Sequence, residues 1–399
     1  MRFTALLILI SFPLAAQQPE VKLRTVLQAK TGVITLPGGT IEISREITLP
    51  ADAHDIEIKG AGTLLKAAPT FRGRALLILP AGKNIKIHDL ALDGNRDAFP
   101  QPVAPPTAAA MLSRNIANNG LIAEGVSGLE ISQIKATRFA GFPILINASH
   151  DVHIHDIELT ESGSLDANSH NNGTGGLALE EGVTDFEVVH ALIGKIRGNG
   201  IWIRSTGSTA THGRIVDSEF AVLARSAIEL NHAADVTIEG NTGHMIGFPG
   251  EETVIAGTVL PAAIVTSGAV EHSVIRTNEF EQIAGRCFSL DGFSNGEVTG
   301  NICSDGLFNA ILIRGAGNRV TGNHFTNLNV SRRDQPESLR AGIYLAQGAT
   351  GNTVDGNEIS GYGMAQHCVA GPGTDANRVL RNACVDGASV ARLLPVKRR

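Results

Sequence analysis

From Gly120 onward the chain repeats a five-residue phrase: a small residue, then apolar, variable, apolar and polar. It reads GLIAE at 120–124, PILIN at 143–147, GLALE at 176–180, GIWIR at 200–204 and AIELN at 227–231. It returns as AAIVT at 262–266, CFSLD at 287–291, AILIR at 310–314, GIYLA at 342–346 and CVAGP at 368–372. A period of two marks a short strand whose apolar second and fourth residues face one side. A second strand ending in a polar residue follows each copy, plainest in VTIEGN, GEVTGN, NRVTGN and NTVDGN.

Those polar ends form a column: Asp89, Gln133, Asp156, His190, Asp217, Asn241, Asn278, Asn301, Asn323, Asn357 and Asn382. Successive members are 44, 23, 34, 27, 24, 37, 23, 22, 34 and 25 residues apart, so a coil of 22 to 25 residues carries occasional insertions. Such a coil holds three short strands, and stacked coils form parallel sheets about 4.8 Å apart. The column is expected to be a structural ladder, hydrogen-bonded from coil to coil. One continuous solenoid of ten or more coils, with no helical second domain, accounts for the whole pattern.

Composition agrees with a strand-rich solenoid: 399 residues, 45 Gly, 14 Phe, 2 Tyr and 1 Trp. The formal charge of −6 argues against a general nucleic-acid binder. MRFTALLILISFPLAA, residues 1–16, has the basic start, apolar run and small-residue end of a secretory signal peptide. A secreted or periplasmic protein is expected, with no membrane association after signal removal.

The GIxL strands, the Asn column and GVITLPGGTIEI at 32–43 together resemble the right-handed parallel β-helix superfamily, the pectate-lyase-like proteins. The resemblance implies an all-β, right-handed parallel β-helix: N-terminal cap and first coils at 17–70, the main helix at 71–385 and a tail at 386–399. VKLRTVLQAK, 21–30, has apolar residues at helical spacing and is expected to cap the first coil. The superfamily also implies a polysaccharide partner, carried on the outer face of the GIxL sheet.

Four long connections border that face: 93–119, 160–175, 242–261 and 326–341. Insertions of this length on a rigid scaffold point to function. One outward column reads Ile122, Leu145, Ala178, Trp202, Glu229, Ile264, Ser289, Leu312, Tyr344 and Ala370. The next reads Glu124, Asn147, Glu180, Arg204, Asn231, Thr266, Asp291, Arg314, Ala346 and Pro372. Polarity concentrates in the middle coils, which makes Arg204, His170, Glu180 and Glu229 the candidate catalytic residues and Trp202, Asn231, Asp291 and Asn147 the candidate substrate contacts.

Two readings compete at each position. Glu180 and Arg204 either form a plain ion pair, or Arg204 and Asn231 neutralise a uronate carboxylate while His170 or Glu180 moves a proton. Trp202 either stacks on a sugar or packs beneath a loop. Asp166, Asn168 and His170 suggest an oxygen-rich loop, with Ca2+ as its cation, although the Gly and final Glu of a calcium-binding helix-loop-helix are missing. His153 and His155, with His88 two coils earlier, show no third metal ligand and read as solvent-facing side chains. Cys287 with Cys303 and Cys368 with Cys384 share a spacing of sixteen, one nearly complete turn of the coil, which predicts two disulfides; four buried free thiols are the alternative.

No Asp-Asp pair or Gly-His-Gly, as in polygalacturonases, and no Asp-Pro-His, as in mannuronan epimerases, is present. No catalytic set therefore transfers residue by residue. The sequence supports an exported protein acting on an acidic polysaccharide by β-elimination or epimerisation. An inverting glycoside hydrolase with paired carboxylates and a non-catalytic, adhesin-like β-helix remain the alternatives.

Overall fold

The computed structural model describes residues 17–107, 110–247, 260–331 and 336–387. Residues 1–16, where a signal peptide is expected, the tail from 388 and residues 108–109, 248–259 and 332–335 of three insertions lie outside the described residues. The rest is one solenoid of parallel strands. Each GIxL strand pairs in register with the next, as in Leu177 with Ile201 and Ile201 with Ile228. The sheet starts two coils earlier than the phrase does, with strands Ile47–Thr48 and Ala75–Pro80. Their sequences are more apolar than the phrase, and ALLIL offers no small-to-polar signature to find.

Inward positions are filled by Leu, Ile, Val and Phe, each stacked on its counterpart, giving one continuous core from Leu23 to Ile359. The capping helix is Gln17–Val26, four residues ahead of the expected segment. Leu23 and Leu27 are buried on the first coil, whereas Val21 is exposed. Glu20 fixes the cap: its Oε1 accepts from Ser44 N and Oγ at 3.1 and 3.0 Å.

The polar column divides into two structures. Asp89, Gln133, Asp156, His190 and Asp217 have φ between 49° and 56° and sit at the bend joining the second and third strands. That left-handed bend suits Asp better than most side chains. The ladder position is the following residue, which is Leu90, Ile134, Ile157, Ala191 and Ser218 in these coils and Asn only from Asn241 on. Expecting Asp89 to Asp217 in the ladder was therefore wrong by one residue. In later coils Gly240, Gly300, Gly322 and Gly356 take the bend, which moves the polar residue inward.

From Asn241 the ladder is complete. Side-chain amides donate Asn241→Asn278→Asn301→Asn323→Asn357 at 2.9 Å per step, and Asn357→Asn382 at 2.8 Å. A second, shorter ladder links Asn318, Asn352 and Asn377. Asn301→Ala should strip the acceptor from the Asn278 amides and the donor from Ile275 O, all buried. Leaving one such group unsatisfied costs about 1–3 kcal/mol, so the loss should reach at least that range in urea unfolding. A loss below about 0.5 kcal/mol would remove the ladder from the list of stabilising elements.

Both predicted disulfides are formed, Cys287–Cys303 and Cys368–Cys384, with Cα separations of 6.2 and 5.5 Å. Cys303 and Cys384 occupy the inward column that Phe280, Phe325 and Ile359 fill in neighbouring coils. The alternative of four buried free thiols holds for burial at Cys287 and Cys303 only, Cys368 and Cys384 being half-buried, and for oxidation state at none.

Candidate functional site on the GIxL face

The outer face of the GIxL sheet has an apolar, covered half and a more polar half. In the first coils its outward column is apolar: Ile78, Ile122, Leu145 and Ala178. An apolar column cannot be left in water without cost. The insertion at 94–118 covers it through a short helix, Leu112–Asn115, whose Leu112, with Ile116 beyond it, packs on that column and Phe142. Trp202 closes the edge of this second core, its ring 6.4 Å from that of Phe142 and 5.5 Å from the Arg204 guanidinium carbon.

The cover is fastened by charge. Glu180 is fully buried and Arg204 has 6% of its side chain exposed, with Nη1 3.1 Å from Glu180 Oε1. Arg204 also donates to the carbonyls of Ala110 at 2.8 Å and Thr107 at 3.2 Å, while Glu180 accepts from the Leu112 and Ser113 amides. The expectation that Arg204 faces an open groove is thus corrected. The column is outward of the coil, as the two-residue period requires, but the insertion lies on top of it. Asn147, next to Glu180 in register, is likewise 5% exposed.

His170 stands apart from this pair, on the outside of the 161–176 insertion. Its ring is half exposed, with Nδ1 3.8 Å from Asp166 Oδ2. Asp166 Oδ1 accepts the backbone N–H groups of Asn168 and His170 at 2.8 and 2.9 Å. Those bonds, the one from His170 first, hold its carboxyl below the usual range. These bonds close a turn around the Asp166 carboxylate. The loop docks on the first insertion, with Asn172 Nδ2 donating to Val103 O.

Beyond Trp202 the outward positions Glu229, Asn231, Ser267, Ser289 and Asp291 are more polar and only half-buried among the described residues. Glu229 accepts from the buried Asn199 amide at 2.7 Å, and Asn231 donates to Ser267 Oγ at 2.8 Å. Ser267 follows Asn231 in register and Val265 follows Glu229, so AAIVT is placed one residue off in the sequence reading. Ile264 and Thr266 point inward, both almost fully buried. Two adjacent small residues, Ala262 and Ala263, make either one acceptable as the start of the phrase. Asp291 pairs with Arg314 at 2.8 Å, both partly exposed. Sequence reasoning missed Arg286, one residue ahead of CFSLD, which lines a pocket with Arg314 and Tyr344. Its signal was present: an Arg at the opening position of a strand that elsewhere opens on small or neutral residues.

A larger groove, about 1140 Å³, follows the bends on another side, lined by Asp89, Gln133, Asp156, His190 and Asp217 and by Lys135, Glu158 and Leu192. Two pairs lie within it, Lys135 with Glu158 at 3.0 Å and His190 with Asp156 at 3.4 Å, and Asp89, Asp217 and Glu219 leave it acidic. The second sheet's outer face carries similar pairs. His88 lies between Asp89 and Glu57, and hydrogen bonding to Asp89, foremost, raises its pKa. His153 and His155 likewise face carboxylates, and among the described residues no group of three or more His, Cys, Asp and Glu is arranged to hold a metal. No helix among the described residues is long and apolar enough to cross a membrane.

Comparison with known proteins bears on the fold. Residues 261–389 match the family described as right handed beta helix region. No curated protein matches the sequence. Among solved structures, DFA-IIIase from Arthrobacter chlorophenolicus A6, in complex with DFA-III, is 12% identical with a TM-score of 0.56, over 91% of this chain and 93% of that one. Tailspike protein 3 of bacteriophage CBA120 is 13% identical with a TM-score of 0.57, over 95% of this chain and 61% of that one. PfbA, a surface adhesin of Streptococcus pneumoniae, is 12% identical with a TM-score of 0.52, over 84% and 82%. An enzyme, a tailspike and an adhesin share this scaffold at such identities, so the likeness carries the architecture and leaves the chemistry to the site. Stacked parallel strands, the Asn ladder, the matched C-terminal coils and these three likenesses converge: the chain is a right-handed parallel β-helix protein.

Proposed function

We propose that the protein binds and acts on an acidic polysaccharide outside the cytoplasm, along the polar part of the GIxL face from Glu229 to Tyr344. The observation that carries this reading is the contrast on one sheet face between an apolar half under a fastened insertion and a polar half in which Glu229, Asn231, Asp291 and Arg314 are not fully buried among the described residues. An extended, rigid, polar strip suits a chain of sugars, which presents hydroxyls every few ångströms. Exposed Arg314 and nearby Arg286 favour an anionic sugar over a neutral one, as does the scarcity of aromatic side chains for stacking. The leader-like first 16 residues and the two disulfides support an oxidising, extracytoplasmic location.

The chemistry in this reading is β-elimination or epimerisation of a uronate. Hydrogen bonding to the carboxylate acidifies the neighbouring C–H proton; Glu229 is the base that takes it, and Asn231, two residues along the same strand, is the donor placed to meet the carboxylate of that sugar, Arg286 and Arg314 lying two and three coils further on. Glu229 and Asp291 support a second reading, inverting hydrolysis. They lie two coils apart, about 10 Å along the axis, close to the wider end of the inverting separation. Assay of the purified protein on a panel of uronate, sulfated and neutral polysaccharides separates the outcomes. Ultraviolet absorbance from an unsaturated uronate is the expected result, new reducing ends without it indicate hydrolysis, and binding without either indicates an adhesin. No turnover and no binding on any polymer would overturn the proposal.

A further inference from the structure

Toward the C-terminal coils the polar strip ends in a pocket of about 530 Å³ lined by Arg286, Leu312, Arg314, Ser338, Tyr344 and Gln347. Arg286 opens the strand Arg286–Asp291 and is held in place. Its Nε donates to Asn309 Oδ1 at 3.0 Å and its Nη2 to Ser338 O at 3.3 Å. Asn309 is itself fully buried, and its Nδ2 donates to Ile311 O at 3.2 Å, which fixes the amide with its oxygen toward the guanidinium. Both acceptors of Arg286 are neutral. Among the described residues no carboxylate reaches ion-pair distance from it, whereas Arg314 is near enough to repel it; burial, foremost, and that repulsion lower its pKa to about 10.

A largely buried cation beside a second cation, with neutral partners only, is an arrangement that an incoming anion relieves. Arg314 already turns one nitrogen to Asp291, leaving the local balance at one net positive charge across these three groups. Leu312, 8% exposed, and Tyr344 give the pocket an apolar side against which a sugar ring can lie. We propose that this pocket is an anion subsite, in which Arg286 and Arg314 together receive an oxyanion carried on one sugar of the glycan, a carboxylate or a sulfate ester. This assignment rests on the reading that the GIxL face takes an acidic glycan, and it gives that glycan's charge a specific seat.

The test is isothermal titration of the full-length protein with trigalacturonate, a sulfated carrageenan oligosaccharide, neutral cellohexaose and inorganic sulfate. Arg286→Met and Arg314→Gln should each weaken binding of the preferred anionic saccharide by about tenfold or more, the loss typical of one charged hydrogen-bond partner. Asp291→Asn should bind it at least as tightly as the unaltered protein, because Arg314 loses its competing partner. The stronger of the two anionic saccharides identifies carboxylate or sulfate as the group received. If the anionic saccharide binds the unaltered protein and both Arg variants equally, the subsite is overturned while the glycan reading stands. If no saccharide binds, the glycan reading falls and sulfate alone decides: binding that both variants lose upholds the pocket, and no binding overturns it. Should Arg286→Met fail to fold, Arg314→Gln carries the test, since that side chain is 55% exposed and away from the core.

Discussion

Glu180→Ala is expected to destabilise the protein by about 3–5 kcal/mol, the cost of leaving a buried partner charge without its counter-ion. The substitution would strand the Arg204 guanidinium beneath the insertion and unbind the Leu112 and Ser113 amides together. Arg204→Ala should cost a similar amount from the other side, and the double variant less than the sum, because the two share one network. A solenoid transmits such damage locally, so the loss should appear first as release of residues 94–118. Limited proteolysis between Arg96 and Asn118 should then precede global unfolding. A destabilisation under about 1 kcal/mol with an unchanged cleavage pattern would mean that the pair is solvated and the insertion open, as for a surface ion pair.

That expectation reverses what the sequence suggests for the same residues. Register alone puts Glu180, Arg204 and Asn231 in one outward column, and the structure has them there. What a column of sequence positions does not contain is the path of a long connection, which is fixed by tertiary packing. The clue lay in chemistry more than in spacing. Ile122, Leu145 and Ala178 are outward and apolar, and Leu112 and Ile116 in the insertion are four residues apart, the separation that puts two side chains on one helical face. Joined, they predict a cover over the early coils, and an Arg and a Glu at its margin become its fastening.

The ladder failed for a similarly local reason. Polar residues at both the left-handed bend and the next position satisfy one sequence pattern, and the Gly preceding Asn241, Asn301, Asn323 and Asn357 separates the two cases in four coils, whereas Thr277 and Arg381 take the bend before Asn278 and Asn382. The core, by contrast, was almost fully legible, because stacking repeats the same burial decision coil after coil. Of the candidate site, Glu229, Asn231 and Asp291 stand on the polar strip, Trp202 at its border, and His170 on a loop outside it. Arg286 escaped notice because strand phrases were read from their small opening residue onward.

Removing the Cys287–Cys303 disulfide by a Cys287→Ala, Cys303→Ala double substitution should cost about 3 kcal/mol, the loop-closure contribution for a bridge spanning this number of residues. Both positions are fully buried, so the methyl groups also leave unfilled volume, that at Cys303 between Phe280 and Phe325. Denaturant midpoints should fall from the oxidised protein to the variant to the fully reduced protein, because the variant keeps Cys368–Cys384 and reduction opens both bridges. Equal midpoints for all three would show that the stacked core tolerates an open coil there.

The central claim is that the polar half of the GIxL sheet is where the glycan lies. It is met most directly by a crystal structure of the protein with a bound acidic oligosaccharide. The account predicts sugar density along the strip from Glu229 to Tyr344, with an anionic group between Arg286 and Arg314. Saccharide seated instead in the groove of the bends, among Asp89, Asp156 and His190, would contradict it.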